Sequence, residues 1–320
     1  CKRVNNMSEF VKKTNGSIIS TNRVRKLYGE FVAVDDLTFR VGYGETYGLL
    51  GPNGAGKTTT MRMLAGLSPV DSGEITISGI DVVRDNRSVR EVMGVVTQHD
   101  GLDNGLTVFQ NLFLFGFLSG LSSKNSKTRA HDVLDFFGLT ERSKDNIYEL
   151  SGGMKRRLAI ARSMMSSPKV LVMDEPSTGL DPQSRNRVWE ELAMLKDDGV
   201  TILVSTHYME EATVLCDRLA IMDNGKILDE GTPDEMVERH APKEVAQLRV
   251  VPALLRSVRE YLVKLEINFR EVGALISVTE GSGDRPDLTG LLDREGVQIS
   301  YRPGNLEDVF LSITCRELRS

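Results

Sequence analysis

Gly51-Pro52-Asn53-Gly54-Ala55-Gly56-Lys57-Thr58-Thr59 lies between a short apolar run, Thr46–Leu50, and a helical pattern, Lys57–Leu67. Residues 51–58 fit the spacing G-x-x-x-x-G-K-[ST], which a chain of this length matches by chance at a rate of about one per cent. A strand before it and a helix after it are the setting this loop requires. The glycines let the backbone curl with its N–H groups inward around an anion, and the helix start adds its positive dipole end. Lys57 is then expected to reach the β- and γ-phosphates of a nucleotide, Thr58 to ligate Mg²⁺, and Thr59 to help hold the α-phosphate.

Outward from this loop, strand patterns at Ile18–Arg25, Val32–Val41, Glu74–Ser78, Val92–Thr97, Val170–Met173, Thr201–Ser205 and Arg218–Met222 alternate with helical ones at Ser151–Met165, Gln183–Asp197 and Met209–Cys216. That alternation predicts an α/β core with a mostly parallel sheet. Ligands in such sheets bind beyond the carboxyl ends of the strands. Gln98, Asp174, Glu175 and His207 each follow an apolar strand, so four polar groups are expected at one edge beside the loop. A carboxylate after a strand is often only a turn former, and a lone histidine is usually a satisfied surface group. Beside a phosphate loop, Asp174 suits Mg²⁺ and Glu175 suits activation or orientation of a water. Gln98 is expected to link metal, water and a helical lobe, and His207 to contact the γ-phosphate. His99, His131 and His240 have no such setting.

Residues 99–165 read as an inserted helical lobe. Thr107 and Gln110 have capping-box spacing ahead of Leu112–Leu118, Ser122–Thr128 reads as a polar loop and Arg129–Phe137 as a helix. Most of Phe109, Leu112, Phe113, Leu114, Phe115 and Phe117 are expected in the lobe's core. After residue 240 the order changes. Strands at Glu244–Val251, Glu266–Glu271, Ala274–Thr279 and Val297–Arg302, with helices at Pro252–Val263 and Pro286–Leu292, give a split βαβ arrangement closed by a helix over Asn305–Cys315. The expected domains are a tail over 1–17, a main domain over 18–240 and a small α+β domain over 241–320, of ferredoxin-like order.

Composition sets outer limits. Forty Lys and Arg against 45 Asp and Glu leave a net charge of −5, a poor match for broad nucleic-acid binding. Apolar residues at 40% supply a core and exclude a disordered chain. The longest apolar stretch, Leu112–Leu121, is broken by Gly116, Ser119 and Gly120 and is far short of a membrane span of ~18–20 residues. Cys1, Cys216 and Cys315 make neither a disulfide framework nor a metal spacing, so a reducing compartment is the default. Residues 1–17 lack the apolar centre of a secretory signal. They read as a disordered or appended tail ahead of a start at Met7, with a lipidated Cys1 as the competing reading.

Leu150-Ser151-Gly152-Gly153-Met154, followed by Lys155-Arg156-Arg157-Leu158, closely resembles the signature of ATP-binding-cassette (ABC) ATPases. Other segments are similar to the family's motifs in the family's order. Gly51–Thr58 matches Walker A, Gln98 the Q-loop, Leu171–Glu175 Walker B, Gly179-Leu180-Asp181 the D-loop, His207 the switch histidine and Tyr28 the aromatic that stacks on adenine. The match spans roughly residues 18–235. The resemblance implies a P-loop cassette with a parallel-sheet core, an antiparallel β subdomain and a helical subdomain. It implies ATP and Mg²⁺ as ligands, and a head-to-tail homodimer in which Walker A of one chain faces Ser151–Gly153 of the other. Ser151 as an N-cap, with Gly152 and Gly153 opening a helix, is itself a second helix-start anion site in one chain.

Met154 in place of the commoner glutamine, the basic run after it and Asn305–Phe310 resemble the exporter branch for drugs and lipid-like or oligosaccharide molecules, nodulation-factor exporter ATPases among them. Ser177 replaces the commoner threonine and removes no catalytic group. The resemblance implies an ATPase at the cytoplasmic face of a membrane, docked through Gln98–Phe117 to a separate integral permease. The competing readings are a non-transport ABC ATPase, whose usual tandem cassettes, coiled coils and zinc cysteines are missing here, and a P-loop kinase, against which the Leu150–Met154 signature and His207 argue.

Overall fold

Every residue of the segments Thr46–Leu50, Val170–Asp174 and Thr201–Thr206 is buried, the condition of strands covered on both faces. The computed structural model describes residues 16–278, 288–292 and 295–314. It divides into two units, one ending at Thr232 and one starting at Pro233. The helix Pro233–His240 therefore groups with the second unit, although the change in sequence character had placed the boundary near residue 240. The tail expected over 1–17 falls outside the described residues up to 15, and Ser17 already belongs to a strand.

In the first unit β1 (Ser17–Tyr28), β2 (Phe31–Gly42), β4 (Ser72–Ile77) and the two-residue β5 (Ile80–Asp81) form an antiparallel sheet in the order β2-β1-β4-β5. The second sheet runs β10-β9-β3-β8-β7-β6. Its strands are β3 (Thr46–Leu50), β6 (Met93–Val96), β7 (Val170–Asp174), β8 (Thr201–Thr206), β9 (Arg218–Asp223) and β10 (Lys226–Gly231). All pairs are parallel except the β9–β10 hairpin. Leu49, Met63, Leu64, Val172 and Leu203 share one core with Phe39 and Ile75 of the antiparallel sheet.

Helices α1 (Lys57–Leu64), α2 (Asn86–Val92), α3 (Val108–Leu118), α4 (Ser123–Phe136), α5 (Gly152–Ser163), α6 (Pro182–Asp197) and α7 (Met209–Leu215) complete the unit. The Thr107–Gln110 capping box forms, with both reciprocal bonds, at 2.9 and 3.2 Å. The loop expected over Ser122–Thr128 is instead the first half of α4, capped by Ser122. Its buried face begins with Ser126, whose hydroxyl donates to the Phe113 carbonyl, and a small polar residue on a core face is invisible to an apolar period. The aromatic run also differs from expectation. Of its six residues only Leu112 is buried, while Leu114 and Phe117 are exposed. Phe109, Phe113 and Phe117 stack along one side of α3 at 6.1 and 6.4 Å.

The second unit contains α8 (Pro233–His240), β11 (Glu244–Val250), α9 (Leu255–Lys264), β12 (Phe269–Val272), β13 (Leu275–Val278), α10 (Thr289–Leu292), β14 (Val297–Pro303) and α11 (Leu306–Thr314). The antiparallel order β12-β13-β11-β14 is that of a split βαβ unit. Leu248, Val258, Leu262, Ile276 and Leu291 form its core. β12 begins three residues later than the expected strand, because Glu266 adopts a left-handed φ of 55° at the end of α9. Thr279, residues 286–287 and Cys315 of the expected elements lie outside the described residues.

Candidate functional site

The loop between β3 and α1 is held from below by the main chain. Gly51 N–H donates to Thr206 O at 3.2 Å, Ala55 N–H to Pro52 O at 3.2 Å, and Gly225 N–H to Ala55 O at 2.9 Å. A β-carbon at Gly51 would strike the Met222 carbonyl, and one at Gly56, where φ is 103°, would lie 2.5 Å from Ala33 O. Glycine is therefore demanded here by packing as well as by approach to an anion. The Lys57 ammonium is buried and arches over the loop, donating to Gly51 O at 2.7 Å and Pro52 O at 3.0 Å. Burial draws its pKa below the ordinary lysine value, against the pull of the Glu175 and Asp174 charges.

The end of β7 delivers both carboxylates. Asp174 Oδ1 accepts from Thr58 Oγ1 at 3.2 Å and from the Ser205 hydroxyl. Glu175 adopts a left-handed φ of 49°, a conformation that costs a non-glycine residue about 1–3 kcal/mol when held. Its N–H donates to Ser205 O at 3.1 Å and Ser205 Oγ at 3.2 Å, which fix the turn. Its Oε2 accepts from Thr178 Oγ1 at 3.1 Å; its Oε1 lies 3.2 Å from His207 Nδ1 and 3.8 Å from Lys57 Nζ. That His207 nitrogen is buried and off the line of a hydrogen bond. The Glu175 carboxyl is held below the usual carboxylate range, first by the adjacent His207; burial opposes this, and Lys57 and Thr178 reinforce it.

The structure thus brings Lys57, Thr58, Asp174, Glu175 and His207 together. Gln98 is exposed two residues after β6, Thr59 is half-buried in the first turn of α1, and Asn53 is exposed on the loop. Tyr28 ends β1 half-exposed, with the Lys26 ammonium 5.3 Å from its ring centre. Ser151 caps α5 by accepting from Met154 N–H at 3.3 Å. Gly152 faces open space, whereas a β-carbon on Gly153 would lie 2.6 Å from the Ser184 β-carbon. Asp181 caps α6 through Ser184 N–H at 2.9 Å.

Sequence reading missed Ser205, Thr178 and Arg156. Ser205 and Thr178 carry no motif of their own. Arg156 belongs to the basic run after the signature, to which sequence reading gave no site role, and it is buried. Among the described residues no cluster of three or more His, Cys, Asp or Glu could hold a metal, so a metal here would depend on few protein donors.

A family model described as "ABC transporter" matches residues 34–178. The Nod factor export ATP-binding protein I of Cupriavidus metallidurans is 42% identical over 305 residues, covering 95% of this chain and 99% of that one. Its namesake from a Rhizobium species is 41% identical over 297 residues, 92% and 96% of the two chains. Among solved structures, the ADP conformation of an ATP-binding cassette of an ABC transporter superposes with a TM-score of 0.64 at 28% identity, over 70% of this chain and 94% of that one. A dimeric post-hydrolysis cassette bound to ADP and Pi superposes at 0.61 with 26% identity, over 67% and 98%. No helix of the described residues is long and apolar enough to cross a membrane. With the phosphate loop, the paired carboxylates and the signature helix in one chain, and relatives matching along nearly its whole length, the protein belongs to the ABC transporter family as a nucleotide-binding subunit that hydrolyses ATP.

Proposed function

We propose that two copies of this chain close on two Mg²⁺-bound ATP molecules and that hydrolysis reopens them, powering export of a lipid-like, oligosaccharide or drug-like molecule through a separate membrane permease. The observation that carries this is the presence of two helix-start anion sites in one chain. One is the loop Gly51–Thr59; the other is the exposed Ser151–Gly152 start of α5. One nucleotide needs only the first, and a second copy of the chain gives the other a phosphate to bind. The dimeric cassette with ADP and Pi supports the assembly, and the relatives' name, Nod factor export, supports the direction of transport.

Each site residue has a role in this reading. The loop amides from Gly51 to Gly56, with Pro52, Asn53 and Ala55 shaping the curl, wrap the phosphates. Lys57 shifts from its own loop carbonyls to the β- and γ-phosphates, Thr59 holds the α-phosphate, and Tyr28 stacks on adenine. Asp181 stands in the D-loop at the seam between copies. Thr58 Oγ1 and Asp174 Oδ1, 3.2 Å apart, with the Gln98 amide oxygen, are the hard oxygen donors Mg²⁺ takes alongside phosphates and water. Bound there, Mg²⁺ would neutralise charge on the β- and γ-phosphate oxygens. Glu175, a carboxylate at neutral pH, accepts a proton from water as the water oxygen bonds to the γ-phosphorus and the bond to the bridging oxygen breaks. His207 contacts the γ-phosphate. The half-buried and exposed aromatics of α3 receive cytoplasmic helices of the permease, which places the chain at the membrane's inner face.

The test is co-purification with an integral-membrane permease from detergent-solubilised membranes, together with ATP-dependent dimer formation by Glu175→Gln on size exclusion. A chain that stays monomeric with ATP and partnerless in detergent extracts sinks the proposal.

A further inference from the structure

Three functional segments of the first unit meet at one side chain that the reading above leaves unused. Arg156 projects from α5, the helix opened by Ser151 and Gly152, and it is 5% exposed. Its Nε donates to Pro176 O at 2.8 Å and its Nη1 to Thr97 O at 2.7 Å. Its Nη2 donates to Asp174 O at 3.0 Å and Glu175 O at 3.2 Å. Asp100 Oδ1 lies 3.6 Å from Nη1. A guanidinium has five N–H groups in a fixed plane, and four carbonyls and a carboxylate occupy that fork here.

The identity of those carbonyls gives the arrangement its meaning. Two belong to Asp174 and Glu175 themselves and one to the residue after them. The fourth belongs to Thr97, the residue before Gln98. A planar fork fixes the peptide planes it bonds, and those planes set where the Glu175 and Gln98 side chains point. The turn at Glu175 is held in a left-handed φ of 49°, so it needs such external bonds to persist.

We propose that Arg156 is a positioning residue that ties the signature helix α5 to the water-activating Glu175 and to Gln98 of the same chain. This rests on the dimer reading. When a partner's nucleotide docks on Ser151–Gly152, the displacement of α5 is passed by a rigid side chain to the Walker B turn and the Q-loop. Occupation of one site thereby aligns the catalytic groups of the other. Lysine cannot substitute, because a point ammonium with three donors cannot span peptides on both loops.

The experiment uses the purified full chain and compares Arg156→Gln, Arg156→Lys and Asp100→Asn with the parent in steady-state ATP turnover, fluorescent-nucleotide affinity and thermal unfolding. The expected result for Arg156→Gln is a fall in kcat of about tenfold or more, a Hill coefficient for ATP moved toward 1, and nucleotide affinity within about twofold of the parent. Arg156→Lys does not restore the Hill coefficient. Asp100→Asn keeps every carbonyl bond and removes only the carboxylate, so it guards against an Arg156 variant that does not fold; it lowers kcat by about two- to threefold, moves the Hill coefficient part of the way toward 1 and leaves affinity unchanged. An Arg156→Gln protein with parental kcat, or with reduced kcat and an unchanged Hill coefficient, overturns the inference, as does an Asp100→Asn protein identical to the parent in both. A parent chain that shows no ATP cooperativity and no ATP-dependent dimer instead overturns the dimer reading itself, so the two failures are told apart.

Discussion

Glu175 and His207 face each other at 3.2 Å across the carboxyl ends of β7 and β8, and the histidine is the leading influence that holds the glutamate's pKa below its ordinary value. Remove the ring and burial becomes the leading influence, which favours the neutral acid. In His207→Ala the Glu175 carboxyl should titrate at higher pH than in the parent, read by ¹³C NMR of labelled glutamate. Because the folded pKa lies below the ordinary 4.5 in the parent, Glu175 adds stability above that value and loses it as pH falls through its lowered pKa. The variant should lose that acid-sensitive contribution. A titration unchanged by the substitution would show that His207 does not set the charge of Glu175.

Glu175→Gln keeps the shape of the side chain and removes the proton acceptor. Turnover should drop by about 10²-fold or more, the usual scale of a general base. Nucleotide affinity should hold within a few fold, and the protein should accumulate as an ATP-bound dimer. Phosphate release assays and light scattering measure both.

Lys57→Ala removes a buried ammonium whose partners in the free chain are two loop carbonyls and, at 3.8 Å, Glu175. ATP affinity should weaken about 10- to 100-fold, in line with charge-assisted hydrogen bonds of roughly 1.5–3 kcal/mol. Ser151→Arg should leave one-chain nucleotide binding intact and abolish turnover. Mixing it with an excess of Lys57→Ala chains should recover part of the activity, since each mixed pair retains one intact composite site.

Gly153 packs against Ser184, the residue whose N–H caps α6 through Asp181. Gly153→Ala should destabilise the nucleotide-free chain by about 1–3 kcal/mol through overpacking. The double variant with Ser184→Gly, which removes the opposing β-carbon, should recover most of this in urea unfolding. Additive losses would show that the two positions do not touch.

Glu191 on α6 is fully buried 3.5 Å from Arg157 and 3.4 Å from Arg187, and burial pushes its pKa up to about 7 against both cations. A raised acid pKa means the folded chain binds the proton more tightly than the unfolded one. Stability should therefore decline as pH rises from about 4.5 to 7, with the full cost present above 7. Glu191→Gln should flatten that decline and gain up to about 3 kcal/mol on the parent between pH 5 and pH 8. Chemical unfolding at the two pH values decides it.

Strands buried on both faces were readable because short runs with almost no charge stand out between turn and helix patterns; Thr46–Leu50 has its expected bounds, and Val170–Asp174 and Thr201–Thr206 each extend one residue further. The phosphate loop was readable because its spacing is rare. What escaped was short or defined by distant partners. Ile80–Asp81 is two residues long, and Lys226–Gly231 buries only Gly231 and lacks an apolar period. The start of α4 was hidden by Ser126 on its buried face. Ser205 reaches Asp174 across 31 residues of chain, and Arg156 reaches Thr97 across 59. No local pattern announces that a charged side chain will end against carbonyls rather than water.

Half of the footing of the phosphate loop comes from far along the chain: Gly56 lies over Ala33 O, just upstream, but Gly51 lies against the Met222 carbonyl and Gly225 holds Ala55. A polypeptide still emerging from the ribosome therefore owns the glycine-rich segment long before it owns the Met222–Gly225 part of the floor beneath it. Grip on a nucleotide becomes a certificate that the first unit has closed, granted only after residue 225 has docked.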